Sequence, residues 1–320
     1  MNIDMRTFRL IGMALLAIMA SVNFTACSND NEPNTGDDVP VTQKYIEYRS
    51  YTYSSDYGDR IESAELSYDE KNRLTSIKEG DNSIYYTIDY SSCTITASSF
   101  YGDNNRVYTF KLNDKSYITE LSYKESFNDI EKDCKATFTY NDEGYLIKSV
   151  CEVNEKQEMI EQAPFSEKID TYITTTNHEW KDGNLVSSKT TESESGSLSS
   201  KGNIYYQYTN IPNKGNIQPC SSSFDSGLFV IVGDDIPDLL MSCSLFGKLS
   251  KYLPSIINRQ NYNYNGVSND YSYSFDYLLD ENGFITSSTL SDNGKVIEKG
   301  TFIYKNWYLS LLLKVKAAKS

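Results

Sequence analysis

From about Tyr45 to Tyr304, large apolar and polar residues trade places at every second position. Ile84, Tyr86, Ile88 and Tyr90 share one parity, with Tyr85, Thr87 and Asp89 on the other. Tyr271, Tyr273, Phe275 and Tyr277 alternate with Ser272, Ser274 and Asp276. A period of two sends alternate side chains to one face, so these runs predict strands with one buried face. Strands are expected near 43–54, 61–68, 73–79, 83–90, 93–99, 105–112, 117–124, 134–141 and 145–153. Others are expected near 168–181, 184–192, 202–209, 227–232, 259–265, 271–279, 284–291 and 295–305.

Between the runs a unit recurs: a large residue, a short turn cluster, then an aliphatic. Its copies are Tyr68 to Leu74, Tyr140-Asn141-Asp142-Glu143-Gly144-Tyr145-Leu146, Trp180 to Leu185 and Asp280 to Ile285, with weaker ones at Leu112 to Ile118 and Leu290 to Val296. Asp and Asn bond nearby backbone and tolerate positive φ, and Gly adopts it at no steric cost. The copies are unevenly spaced, so they predict a meander of hairpins rather than a solenoid. The expected fold is all-β: a large antiparallel meander forming a strongly curved or barrel-like sheet, since closure removes exposed edges.

One segment breaks the pattern. Asp234-Asp235-Ile236-Pro237 opens like a helix N-terminus, and Leu239, Leu240, Leu245, Phe246 and Leu249 roughly keep helical spacing. A short helical insertion near 234–253 is expected to cap one end of the sheet by filling its core.

Arg6 and Arg9 precede the apolar run Leu10 to Ala20, followed by Phe24-Thr25-Ala26-Cys27. That order is a secretory signal, too short for a membrane span. It resembles a lipobox, which makes residues 1–26 a signal peptide and Cys27 the lipidated first mature residue. The polar, acidic stretch 27–42 has nothing to bury and reads as a disordered tether. It resembles the surface-export signal of Bacteroidota lipoproteins, implying an outer-membrane location facing outward. Residues 43–308 then form one β-meander domain, with 309–320 as a tail. The strands carry no outward apolar band, so the domain is expected to be water-soluble and attached to the membrane only through its lipid anchor. The formal charge of -14, one unit more negative without Arg6, Arg9 and Asp4, comes with no basic patch and argues against nucleic acid as a partner.

Little catalytic chemistry is visible. The single histidine, His178, lies on a strand arm and is expected at the surface. Asp234 and Asp235 suit a helix start better than a glycosidase pair. Asp280-Glu281-Asn282-Gly283 lacks the remaining ligands of a calcium loop. No zinc spacing occurs, and no cofactor is expected. Besides Cys27 the chain has Cys93, Cys134, Cys151, Cys220 and Cys243. Cys134 and Cys151 flank one hairpin and are a candidate disulfide. They oppose each other if Tyr140 pairs with Tyr145, and fall on opposite faces if Asn141 does.

The lipoprotein signal, the Tyr-Asn-Asp-Glu-Gly-Tyr-Leu hairpins, the stretch Tyr206 to Ile217 and Leu245-Phe246-Gly247-Lys248-Leu249-Ser250-Lys251-Tyr252-Leu253-Pro254 resemble a Bacteroidota domain family of unknown function with a porin-like fold. The hairpins are also similar to the tyrosine-aspartate repeats of toxin shells. The family resemblance implies a curled antiparallel sheet or barrel behind a lipid anchor, and supplies no catalytic residues. The expected role is a non-catalytic binding or structural module at the cell surface or in the periplasm, using tyrosine faces to hold a glycan, peptide or partner protein. The alternative is an extracellular glycan hydrolase acting through a carboxylate pair.

Overall fold

The structure, a computed structural model, describes residues 45–55, 58–80, 84–99, 106–127, 130–159, 166–215, 217, 244–263 and 268–305. The signal, Cys27, the acidic stretch, the expected strand at 227–232, Asp234, Asp235, Cys220, Cys243 and the tail lie outside them.

Sixteen strands run in sequence order: β1 (Tyr45–Ser55), β2 (Gly58–Tyr68), β3 (Leu74–Glu79), β4 (Ile84–Asp89), β5 (Thr94–Ser99), β6 (Arg106–Leu112), β7 (Ile118–Phe127) and β8 (Ile130–Tyr140). They continue as β9 (Leu146–Met159), β10 (Ser166–Lys181), β11 (Asn184–Glu194), β12 (Ser197–Pro212), β13 (Tyr252–Asn263), β14 (Ser268–Leu279), β15 (Ile285–Asp292) and β16 (Lys295–Lys305). Each pairs antiparallel with its neighbours, and β16 pairs back onto β1, so the sheet is a closed barrel.

The alternation now has a direction. On β8, Cys134, Ala136 and Phe138 are buried while Lys135, Thr137 and Thr139 are exposed. The buried parity runs around the wall and forms three apolar clusters. One spans β2 to β9, one lies on β12 to β15, and one joins β1, β13, β15 and β16. The buried face of a closed sheet is its inner wall, so the core is inside the barrel. The outer wall is largely polar and charged, with scattered exposed apolar residues such as Ile61, Ile169, Leu278 and Ile303. Lys111, Glu120 and Lys135 form an ion-paired row across β6, β7 and β8, and Lys124 pairs with Asp133 beside it.

A meander sends alternate hairpins to opposite ends, and the recurring units gather at one of them. At this near end, Asp69, Asn113, Asn141 and Asp280 each open a turn in the same way. The backbone N–H of the residue four positions on donates to their carboxylate or amide oxygen at 2.9 Å. The residue three positions on has positive φ: Asn72, Ser116, Gly144 and Gly283. A one-residue register shift follows beside each of these turns. The Asp280 segment is therefore a capped turn. The Leu290 to Val296 unit differs, lying at the far end as a two-residue hairpin through Asn293 and Gly294.

Of the helical insertion expected near 234–253, residues 234–243 lie outside the described ones; the described part holds one 3-10 turn, Ser244–Phe246, and then a strap leading into β13 at Tyr252. The strap crosses the near-end hairpin tips. Phe246 packs edge-on against Phe138 with ring centres 5.0 Å apart. Lys248 N–H donates to Gly144 O, and Lys251 N–H donates to Gly183 O. The strap is not helical because these donors bond to hairpin carbonyls rather than to a helical turn of their own. As expected of core filling, Leu245 and Phe246 join the large apolar cluster.

Candidate functional site

The inner wall changes character along and around the barrel. Towards the far end its inward positions become ionic. Arg106 pairs with Glu125 at 2.5 Å, and Lys132 with Glu155 at 2.9 Å. Asp170 stands opposite Glu155 and is held by Lys168 at 2.6 Å. Glu155 and Asp170 are thus an opposed carboxylate pair, each ion-paired with a lysine.

Around the barrel, β10 and β11 interrupt the apolar lining. Register carries the inner face from Ser149 to Thr176 and Thr190, and from Cys151 to Thr174. Thr176 and Ser188 are as enclosed as the aliphatic residues beside them, at 0% and 2% exposure. The Thr176 and Thr190 hydroxyls are 3.0 Å apart. His178 belongs to this face, which corrects the expectation of a surface histidine. Its ring is partly accessible, but its Nε2 is enclosed and has no hydrogen-bond partner, while Nδ1 lies 2.9 Å from Ser188 Oγ. Burial pushes its pKa down to about 4, so the imidazole is neutral at pH 7. Strand patterning could not reveal this. The aliphatics of β10 include Ile169 on the outward parity, 59% exposed, whereas the inward positions are mostly hydroxyls.

The tyrosines are mostly core rather than platform. Tyr51, Tyr86, Tyr108, Tyr117, Tyr123, Tyr206 and Tyr273 are buried, whereas Tyr85, Tyr205 and Tyr271 are exposed. Several serve as clasps at the near end. The hydroxyls of Tyr68, Tyr90, Tyr140, Tyr208 and Tyr277 donate to the carbonyls of Ile46, Leu74, Ile118, Leu185 and Pro254. Trp180 Nε1 does the same to Leu146 O.

Cys134 and Cys151 share the inner face, as a pairing of Tyr140 with Tyr145 implies, but they are diagonal rather than directly opposed. Asn141 does oppose Tyr145, but the shift between Thr139 and Tyr140 adds one residue. Cys134 therefore faces Val153, Cys151 faces Ala136, and the two sulfurs sit diagonally, 3.6 Å apart. Among the described residues, no group of three or more His, Cys, Asp or Glu side chains is placed to hold a metal ion.

Comparison with known proteins agrees with this architecture. The family model described as a domain of unknown function (DUF4595) with porin-like fold matches residues 66–287. A porin-like protein from Bacteroides uniformis superposes with a TM-score of 0.51 at 16% identity, covering 81% of this chain and 96% of that one. A porin-like protein from Bacteroides vulgatus gives 0.52 at 17%, covering 82% and 99%. At such identities the likeness is one of fold. No curated protein matches the chain.

Proposed function

Because the chain belongs to the family of domains of unknown function with a porin-like fold, we propose a role that its fold name does not suggest: a non-catalytic binding or structural barrel that stands in water, tethered to the outer membrane by lipid on Cys27 and facing outward. The observation that carries this reading is the polarity of the wall. A membrane barrel turns an apolar band to lipid, and a lysine at the bilayer midplane costs about 2–4 kcal/mol. This outer wall carries Lys111, Glu120, Lys124, Asp133 and Lys135, while Ile77, Ile95, Tyr108 and Leu121 are buried inside at 0–1% exposure. β1 starts at the end that the strap crosses.

Labelling cells with radioactive palmitate tests the tether. The wild-type chain should take up label and Cys27→Ser should not. Proteinase added to intact cells should degrade the labelled chain. Absence of label, or full protection from proteinase, would contradict the proposed anchoring and orientation.

A further inference from the structure

The strip of inner wall between the two large apolar clusters is the least explained part of the molecule. On β10 and β11 it holds the inward residues Thr174, Thr176, His178, Ser188 and Thr190, between Tyr172 and Leu185, which pack against the apolar clusters. Folding alone does not favour such a strip, since valines of the same shape would bury area without desolvating hydroxyls. Exposure along it rises from the buried Thr176 and Ser188, through Thr174, His178 and Thr190, to Glu192 and Glu194, which are exposed towards the far end. On its other side β12 contributes Gly202 opposite Thr190, where an added Cβ would lie 3.4 Å from Asn261 Oδ1. The glycine keeps that wall low. At the inner end, His178 Nε2 is enclosed without a hydrogen bond. A buried polar atom left in that state is destabilising, and a bound partner would relieve it.

We propose that this strip binds the end of a neutral oligosaccharide entering from the far mouth, with one sugar hydroxyl bonded to His178 Nε2. The inference rests on the reading of the barrel as a binding module standing in water. Three features select the ligand. Hydroxyls and a neutral imidazole both donate and accept without fixed charge, as sugar hydroxyls do. Glu192 and Glu194 stand exposed towards the far end, where their carboxylates oppose an anionic ligand. A closed barrel offers no free strand edge, which removes the usual way of holding an extended peptide.

His178 is the only histidine, so the untagged mature chain gives one imidazole in long-range proton–nitrogen NMR. Maltohexaose, cellohexaose, xylohexaose and trigalacturonic acid are titrated to millimolar concentrations. The Nε2 resonance should move saturably with at least one neutral probe and stay still with the uronate. Thr190→Val, which keeps shape but removes a hydroxyl, should weaken that binding about fivefold, and Gly202→Val about tenfold or more. No movement with any neutral probe, as expected if only water meets Nε2, would overturn the proposal. So would stronger binding of the uronate, or unchanged affinity in Thr190→Val. Such a failure leaves palmitate labelling and proteinase sensitivity untouched, so it is distinguishable from failure of the tethered-barrel reading.

Discussion

The hydroxyl of Tyr140 donates a 2.6 Å hydrogen bond to the carbonyl of Ile118, joining the end of one strand to the start of the one before it. Tyr140 precedes one recurring turn and Ile118 follows the previous one, so the bond links two copies of the unit. Burial first, and then Tyr117, hold the phenol far above its ordinary pKa, keeping it a donor at every pH the fold survives. Tyr140→Phe should destabilise the barrel by about 1–2 kcal/mol in chemical denaturation, because a part-buried carbonyl loses its partner. Tyr85→Phe, on the exposed parity, is the control and should change stability little. Equal effects would show that the clasps contribute nothing specific.

Gly247 holds the strap to the hairpin tips. Its φ is +95°, and an added Cβ would lie 2.7 Å from Gly144 O, a backbone atom that cannot swing away. Gly247→Ala should therefore cost about 1–3 kcal/mol and speed hydrogen exchange at Lys248 N–H. Retained protection at Lys248 would mean that the strap tolerates a different path.

The strands were legible because alternation reports a buried face directly, and the turns because Asp, Asn and Gly carry their own geometry. Closure was less so: pairing of β1 with β16 joins the two ends of the chain, which no local pattern reports. The start of β13 was missed because Pro254 and the leucines around it mimic a helix boundary, whereas Tyr252 N–H in fact bonds Asn184 Oδ1 across the near end. His178 was misplaced because its strand hides hydroxyls inside and shows Ile169 outside. Cys134 and Cys151 sit diagonally on one face because of a register shift that their spacing cannot disclose.

Acid should unfold the protein partly through His178. Its folded pKa of about 4 lies below the ordinary imidazole value of 6.5, so the unfolded chain binds more protons between those values. Stability supplied by this site is full above pH 6.5, falls as pH drops from 6.5 towards 4, and levels off below. The difference is on the order of 3 kcal/mol. In His178→Gln this part of the slope should vanish in denaturation curves between pH 4 and 7. An unchanged slope would assign it to carboxylates instead.

The diagonal placement of Cys134 and Cys151 predicts that both remain thiols in the folded barrel. A disulfide needs Cβ atoms about 4 Å apart, while diagonal cross-strand positions sit nearer 7 Å. Alkylation after unfolding, read by peptide mass spectrometry, should label both residues. A linked peptide pair two mass units lighter would show that the strands shift to let the bond close.

The inside-out wall is the central claim, and sedimentation velocity of the unacylated Cys27→Ser mature chain in detergent-free buffer tests it most directly. A barrel with its core inside and charges outside should sediment as a compact, soluble species whose coefficient does not change when a mild detergent is added. Aggregation relieved only by detergent, with a bound detergent belt, would show that the outer wall seeks lipid and would contradict the account.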